Sequence, residues 1–254
     1  MAYIQCNFQS NALLMNTQIN VIIPEKLRDL KREGGFPVLY LLHGLTDDNS
    51  SWCRNTSIER YAEEKGIIVV MPWGGKSFYT DMKYGEKVFT YISEELPKFC
   101  EKMFPISSRR EDKFVAGLSM GGYGAFKLVL SKPDSYAAAA SLSGSLDILQ
   151  IMDRKNENIW SDIPDCIYGE NVLPSLEKDD LFGLIDNLVS NKVTLPAMYM
   201  ICGTEDFLYE DNRKFATHIE TLGIDAKIRW ESGVHDWIFW DKYIQDVLEW
   251  LPIK

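Results

Sequence analysis

The sequence predicts an α/β domain: a mainly parallel sheet of about eight strands, with an antiparallel pair at its N-terminal edge and helices on both faces. Three observations predict it. Strand-length apolar runs alternate with helix-length segments from residue 36 onward, the pattern of a sheet sandwiched by helices. Most of those runs are apolar throughout rather than alternating, as in strands covered on both faces. The first two strand patterns have no helix between them, so they pair antiparallel.

Taken in order, Tyr3–Gln9 and Thr17–Ile23 are those first two strands, joined across Asn11–Asn16. Pro24–Gly35 is a polar connection, and Phe36–Leu42 is a continuous apolar run, a buried strand. Ser57–Lys65 places Ile58, Tyr61 and Ala62 on one face of a helix that Gly66 ends. Ile67–Met71 is a strand stopped by Pro72, and Trp73–Tyr84 is a loop rich in Gly, Ser and aromatic residues. Glu86–Met103 carries Val88, Ile92, Leu96, Phe99 and Met103 at helical spacing, and Pro97 inside it predicts a kink or break. Lys113–Ala116 is a strand, Tyr123–Leu130 a helix and Tyr136–Leu142 a further strand. A helical pattern lies near Asp180–Val189, and Pro196–Ile201 is the next strand. Helix Asp211–Leu222, strand Asp225–Trp230 and helix Asp236–Leu251 follow; the last carries a Trp240, Tyr243, Ile244, Val247, Leu251 stripe.

The 254 residues are 46% hydrophobic and 25% charged, as in an ordinary globular protein. No repeat, low-complexity segment or linker divides them, so residues 1–254 are expected to form one domain. Within it, residues 145–195 are expected to be an insertion or partial lid over the C-terminal edge of the sheet. That is the edge where open α/β sheets place their sites. The net charge of −10 argues against a nucleic-acid partner and against an anionic membrane surface. Met1–Asn7 lacks a signal-peptide pattern, and no apolar run reaches membrane-spanning length. The five cysteines, Cys6, Cys53, Cys100, Cys166 and Cys202, are odd in number and widely spaced. They fit buried thiols in a reducing cytoplasm better than disulfides or a zinc site.

The chemistry centres on Gly117-x-Ser119-x-Gly121, preceded by a strand and followed by a helix. This is the pattern of a nucleophile elbow. Small residues on either side let strand and helix pass closely, and the serine lands at a helix N-terminus. There the Met120 N–H can stabilise an oxyanion. A serine hydroxyl needs a base, and the chain has three histidines. His43 ends a buried strand, His218 lies beside the apolar stripe of a surface helix, and His235 follows the final strand. His235 is the expected base. Its far nitrogen needs an acid; Asp206 follows the Pro196–Ile201 strand, with Glu205 and Asp211 as close competitors. The order Ser119, Asp206, His235 matches that of α/β-hydrolases. The second oxyanion donor is expected from His43-Gly44-Leu45, with Gly44 allowing close approach and Leu45 donating its N–H. His43 is expected to shape this loop rather than transfer a proton.

Four segments, HGLTDDNSSW (43–52), GLSMGGYGA (117–125), CGTEDFLYEDN (202–212) and GVHDWIFW (233–240), together resemble the putative-esterase family of α/β-hydrolases. The family includes tributyrin esterases, esterase D (S-formylglutathione hydrolase), feruloyl esterases and acetyl xylan esterases. The resemblance spans nearly the whole chain and is strongest to short bacterial tributyrin esterases, which cleave short-chain acyl esters. It implies Ser119 as nucleophile, Asp206 as acid, His235 as base, and Leu45 and Met120 as oxyanion donors. No metal or organic cofactor is implied; the partner is a small-molecule ester, and family members commonly form dimers or tetramers. Ser77–Asp81 resembles a loop bordering the family's site. Trp73, Phe78, Tyr79, Trp160, Phe207 and Trp237 are expected either to rim the acyl pocket or to pack in the core. Two departures stand out. Thr46-Asp47-Asp48 occupies the place of a cysteine-containing loop in S-formylglutathione hydrolases. The signal peptide and carbohydrate-binding modules usual in secreted feruloyl and xylan esterases are not evident, which favours small esters over polysaccharide.

Overall fold

The computed structural model describes residues 1–27, 30, 32–153, 162–170, 172 and 176–253. Its eight strands are β1 Ala2–Ser10, β2 Met15–Ile23, β3 Val38–Leu42, β4 Ile68–Pro72, β5 Lys113–Leu118, β6 Ala138–Leu142, β7 Ala197–Gly203 and β8 Lys227–Glu231. They form one sheet in the order β1-β2-β4-β3-β5-β6-β7-β8. β1 pairs antiparallel with β2, and β2 antiparallel with β4; every later pairing is parallel. This is the architecture that the apolar runs predict, with the hairpin at one edge.

The central strands are dry because both faces are covered. In β3, Val38, Tyr40 and Leu42 join one core while Leu39 and Leu41 join the other. Each such aliphatic contributes about 1.5–3 kcal/mol when fully buried. The described helices are α1 Ser51–Asn55, α2 Ile58–Lys65, α3 Val88–Thr90, α4 Leu96–Met103, α5 Met120–Ser131, α6 Ile148–Asp153, α7 Ile163–Tyr168, α8 Leu181–Ser190, α9 Tyr209–Thr221 and α10 Trp237–Trp250. α2 and α10 cover one face with Ile58, Tyr61, Ala62, Phe239, Tyr243 and Ile244. α4, α5 and α9 cover the other with Leu96, Cys100, Tyr123, Phe126, Phe215 and Ile219.

The single helix expected over 86–103 is interrupted. A π turn at Tyr91–Glu95 separates α3 from α4, and Pro97 stands in the first turn of α4. Proline has no N–H to donate to the preceding turn, and the wider turn absorbs that loss. Glu95 leaves this turn to accept from Ser10 Oγ, Asn11 N and Ala12 N, fastening the β1–β2 hairpin to the helix.

The described part of 145–195 is packed against the body of the domain. Tyr123 on α5 donates its hydroxyl to the Asp179 carbonyl at 2.7 Å, and Lys127 pairs with the Asp179 carboxylate at 2.5 Å. Trp160 lies outside the described residues. All five cysteines are free; Cys100 and Cys202 are buried as expected, whereas Cys6, Cys53 and Cys166 are only half-buried, though burial still pushes the Cys53 thiol up to about 12. Among the described residues, no helix is long and apolar enough to cross a membrane.

Candidate active site

Ser119 stands between the end of β5 and the start of α5 with φ 53° and ψ −119°. A side chain at positive φ is strained, and such residues persist only where their surroundings over-determine them. Here the neighbouring backbone does so. Ser119 N–H donates to Leu142 O, and Ser119 O accepts from Gly122, Tyr123 and Ser145 N–H. The flanking glycines are required by contact. A Cβ on Gly121 would lie 2.5 Å from Leu42 O.

From this turn the Ser119 hydroxyl donates to His235 Nε2 at 3.0 Å. His235 Nδ1–H in turn donates to Asp206, 2.8 Å from Oδ2 and 3.0 Å from Oδ1. The carboxylate selects the tautomer: with the proton on Nδ1, the Nε2 lone pair faces Ser119. The Asp206 side chain is sealed from solvent and is further held by Leu208 N–H at 2.8 Å. The three residues come from the ends of β5, β7 and β8, all at one edge of the sheet.

The competing acids have other places. Glu205 accepts from Gly233 N–H at 2.6 Å and from Thr204 Oγ at 2.9 Å. The Gly233 bond also holds its carboxyl below the usual range. It staples the loop after β7 to the loop after β8, and so sets the spacing of Asp206 from His235. Nothing in an acid-rich sequence singled it out for this. Asp211 is buried in the first turn of α9. His218 pairs with Asp186 at 2.8 Å on the surface.

His43 is buried beneath the loop after β3. Its Nε2 accepts from Gly74 N–H at 2.9 Å, so Nδ1 carries the proton and donates to Gly44 O at 2.6 Å. Burial holds this imidazole below its ordinary value, consistent with a neutral ring. The Tyr79 hydroxyl donates to His43 O at 3.0 Å. The 44–45 turn is thereby fixed, and among the described residues neither Leu45 N–H nor Met120 N–H has a hydrogen-bond acceptor.

A cleft of about 410 Å³ opens here, lined by Gly44, Leu45, Thr46, Asp47, Leu118, Ser119, Phe207, His235, Asp236, Trp237 and Trp240. Gly44 and Trp237 thus line the same cleft as Ser119. Phe78 and Tyr79 do not: both are 0% exposed. They pack beneath the site, Phe78 edge-on to Tyr123 and Tyr79 against Gly124. Trp73 is half-buried against Gly75 and is not among the residues that line this cleft. Trp240, read from sequence only as a helix-stripe residue, lines the cleft and meets His235 edge-on at 4.8 Å.

A family model described as "Putative esterase" matches residues 10–251. The chain belongs to this esterase family. An acetyl esterase from Caldicellulosiruptor saccharolyticus is 34% identical over 99% of this chain and 98% of its own length. Among solved structures, FphF of Staphylococcus aureus, a fluorophosphonate-binding serine hydrolase, is 34% identical with a TM-score of 0.90 over 98% of both chains. FrmB of Staphylococcus aureus, an S-formylglutathione hydrolase, is 33% identical with a TM-score of 0.87 over 98% of both chains. The sheet and helices of this esterase are those of the α/β-hydrolase fold that these structures share.

Proposed function

We propose that this esterase hydrolyses short-chain carboxylic esters, acetyl to butyryl, through an acyl-enzyme on Ser119. The observation that carries the reading is the continuous hydrogen-bonded chain from Ser119 through His235 to buried Asp206. Ser119 Oγ attacks the ester carbonyl carbon as its proton passes to His235 Nε2. The carbonyl oxygen becomes an oxyanion held by the Leu45 and Met120 N–H groups, each such donor being worth about 3–4 kcal/mol in the transition state. His235 then gives the proton to the leaving alcohol. A water, deprotonated by His235, attacks the acyl carbon, and the acid departs as Ser119 regains its proton. Asp206 stabilises the imidazolium in both halves. The chemistry draws on no metal or cofactor.

The acetyl esterase relative supports acetyl transfer to water, and acetylated or feruloylated sugars belong to the same reading. So do a cytoplasmic location, one domain over residues 1–254 and a homodimer or homotetramer. Light scattering on the purified chain tests the assembly. The activity is tested with p-nitrophenyl esters from acetate to octanoate, plus methyl ferulate. Hydrolysis of the short members by wild type and its loss in Ser119→Ala is the expected result. Equal rates for the two proteins would remove Ser119 as nucleophile.

A second reading, thioester hydrolysis of S-formylglutathione, is favoured by the likeness to FrmB. The Thr46-Asp47-Asp48 loop, which departs from the cysteine-containing loop of those hydrolases, weighs against it. Comparing kcat/KM on S-formylglutathione and on a butyrate ester separates the two.

A further inference from the structure

Phe78 and Tyr79 are consecutive non-glycine residues at positive φ, 49° and 48°. Side chains resist that conformation, and two in a row persist only where the surroundings hold them. Ser77 Oγ donates to Gly74 O at 2.7 Å and accepts from Tyr79 N–H at 3.0 Å. Thr80 N–H donates to Ser77 O at 3.1 Å. The Thr80 hydroxyl donates to the Phe78 carbonyl at 3.1 Å and accepts from Lys127 Nζ at 2.6 Å. The Tyr79 ring lies between two glycines: a Cβ on Gly74 would be 2.6 Å from it, and one on Gly124 2.3 Å.

Lys127 is an unusual closing group for such a turn. Lysines are almost never fully buried unless paired, and here the buried Asp179 carboxylate supplies the counter-charge at 2.5 Å. Hydroxyls and backbone alone can close a turn. A charged donor makes a bond roughly twice as strong as a neutral one, and this one ties the turn to α5, the helix that begins at Met120.

On its other side the turn holds His43 at both ends. The Tyr79 hydroxyl donates to His43 O at 3.0 Å, and Gly74 N–H donates to His43 Nε2 at 2.9 Å. The far ring nitrogen, Nδ1, donates to Gly44 O at 2.6 Å. In a planar trans peptide the N–H points opposite to the C=O. The bond to Gly44 O therefore sets the direction of Leu45 N–H. Direct packing of Gly121 against Leu42 O and His43 O sets how closely α5 and β3 approach; the bonds through His43 set how the peptide beyond the strand is turned.

Taking Leu45 and Met120 as the oxyanion donors of the esterase proposed above, we infer that Tyr79, Thr80 and Lys127 are positioning residues. The strained Ser77–Thr80 turn is a brace between α5 and the 43–45 turn, and it holds the Leu45 N–H in its working orientation relative to the Met120 N–H. The donors act on charge that collects on oxygen in the transition state, so loosening the brace falls on kcat rather than on KM.

The test uses two esters that differ in one atom, p-nitrophenyl acetate and its C=S analogue p-nitrophenyl thionoacetate. Sulfur is a weak hydrogen-bond acceptor, so the ratio of their kcat/KM values reads the donors rather than Ser119 or His235. The wild type is expected to favour the oxygen ester by more than hydroxide ion does. Thr80→Val and Tyr79→Phe are each expected to lower kcat on the oxygen ester by about tenfold, with KM within about twofold, as part of the roughly 10²–10³-fold that one lost donor costs. The oxygen-to-sulfur ratio should fall by about the same factor. Thr80→Ser, which keeps the hydroxyl, should keep the wild-type ratio. Ratios within one variant cancel any loss of folded protein. A wild-type ratio in both Thr80→Val and Tyr79→Phe, whatever their rates and melting points, would overturn the brace and leave the turn as packing. A wild-type enzyme that ranks the two esters as hydroxide does would instead overturn the donors themselves.

Discussion

Gly117 and Gly121 face each other across the turn that presents Ser119: a Cβ on Gly117 would lie 2.4 Å from both the carbonyl carbon and the carbonyl oxygen of Gly121. The obstacle is backbone on both sides, which no rotamer change relieves. Gly117→Ala is expected to destabilise the protein by about 1–3 kcal/mol, the usual cost of overpacking. Gly121→Ala pushes on Leu42 O and on His43 O, 2.7 Å from the added carbon, and so should also displace the 43–45 turn. Thermal melts alongside kcat/KM check both variants. A Gly121→Ala protein with the melting point and rate of the wild type would contradict this account of the turn.

Asp206 and Glu205 are neighbours in sequence with separate jobs. Asp206→Asn keeps the shape of the side chain but can hold the wrong tautomer of His235. It is expected to lower kcat by about 10⁴-fold, the size of the effect in the serine-protease triad. Glu205→Ala removes the carboxylate's bond to Gly233 N–H but keeps the backbone bond from Glu205 N–H to Gly233 O, and should cost activity by less than about tenfold, since the Asp206–His235 pair remains to orient the ring. Steady-state kinetics on p-nitrophenyl acetate separate them. The reverse ranking would transfer the acid's role to Glu205.

Lys127 is a fully buried cation on the nucleophile helix, bonded to Thr80 Oγ at 2.6 Å and paired with Asp179. Removing one partner of a buried pair costs about 3–5 kcal/mol, so Lys127→Met should be strongly destabilised and Lys127→Met/Asp179→Leu much less so. Urea unfolding measures the difference.

The same lysine predicts an alkaline effect. Burial lowers it to about 8 in the folded chain, against about 10.4 in the unfolded chain. Between these values the unfolded chain binds the proton that the folded chain has released. This group's contribution to stability therefore rises with pH over that window. Wild type should gain on the double variant when unfolding is measured at pH 7.5, 9 and 10. A constant difference would remove Lys127 as the source.

His43 predicts the acid counterpart. Its folded value is depressed by burial, so the unfolded chain takes up the proton first as pH falls below about 6.5. Stability from this site is complete above that value and is lost as pH falls. Protonation would also turn Nε2 from acceptor to donor against Gly74 N–H. His43→Gln should flatten the fall in unfolding free energy between pH 6.5 and 5 by up to about 1.4 kcal/mol per pH unit, one proton's worth. An unchanged slope would show that other groups carry the acid sensitivity.

Sequence carried the sheet well because strands such as β3 and β4 are buried on both faces, and a run of five apolar residues admits few other readings. It carried Ser119, Asp206 and His235 into proximity because each follows a strand at the same edge, and strand direction alone brings them together. The π turn at Tyr91–Glu95 was hidden because Pro97 reports a broken hydrogen bond but not which turn absorbs it. Phe78 and Tyr79 illustrate a different limit. An aromatic pair in a Gly- and Ser-rich loop has the same appearance whether it lines a cleft or supports one, and only the His43–Tyr79 contact separates the cases. Trp240 shows the converse, since a helix-stripe residue at the first turn of α10 can belong to the core and to the cleft wall together.

Three of the four backbone hydrogen bonds that hold Ser119 run to β6 and α5, the fourth comes from Ser145 N–H in the turn after β6, and together they have a wider consequence. The nucleophile's backbone is held by β6, α5 and the turn after β6, and not by cleft residues such as Phe207 and Trp237. Loop sequence can therefore drift without moving the reacting atom. That independence lets one scaffold serve proteins named for substrates as different as an acetyl ester and S-formylglutathione, and makes cleft-wall residues such as Thr46 and Trp237 the natural places to redesign selectivity.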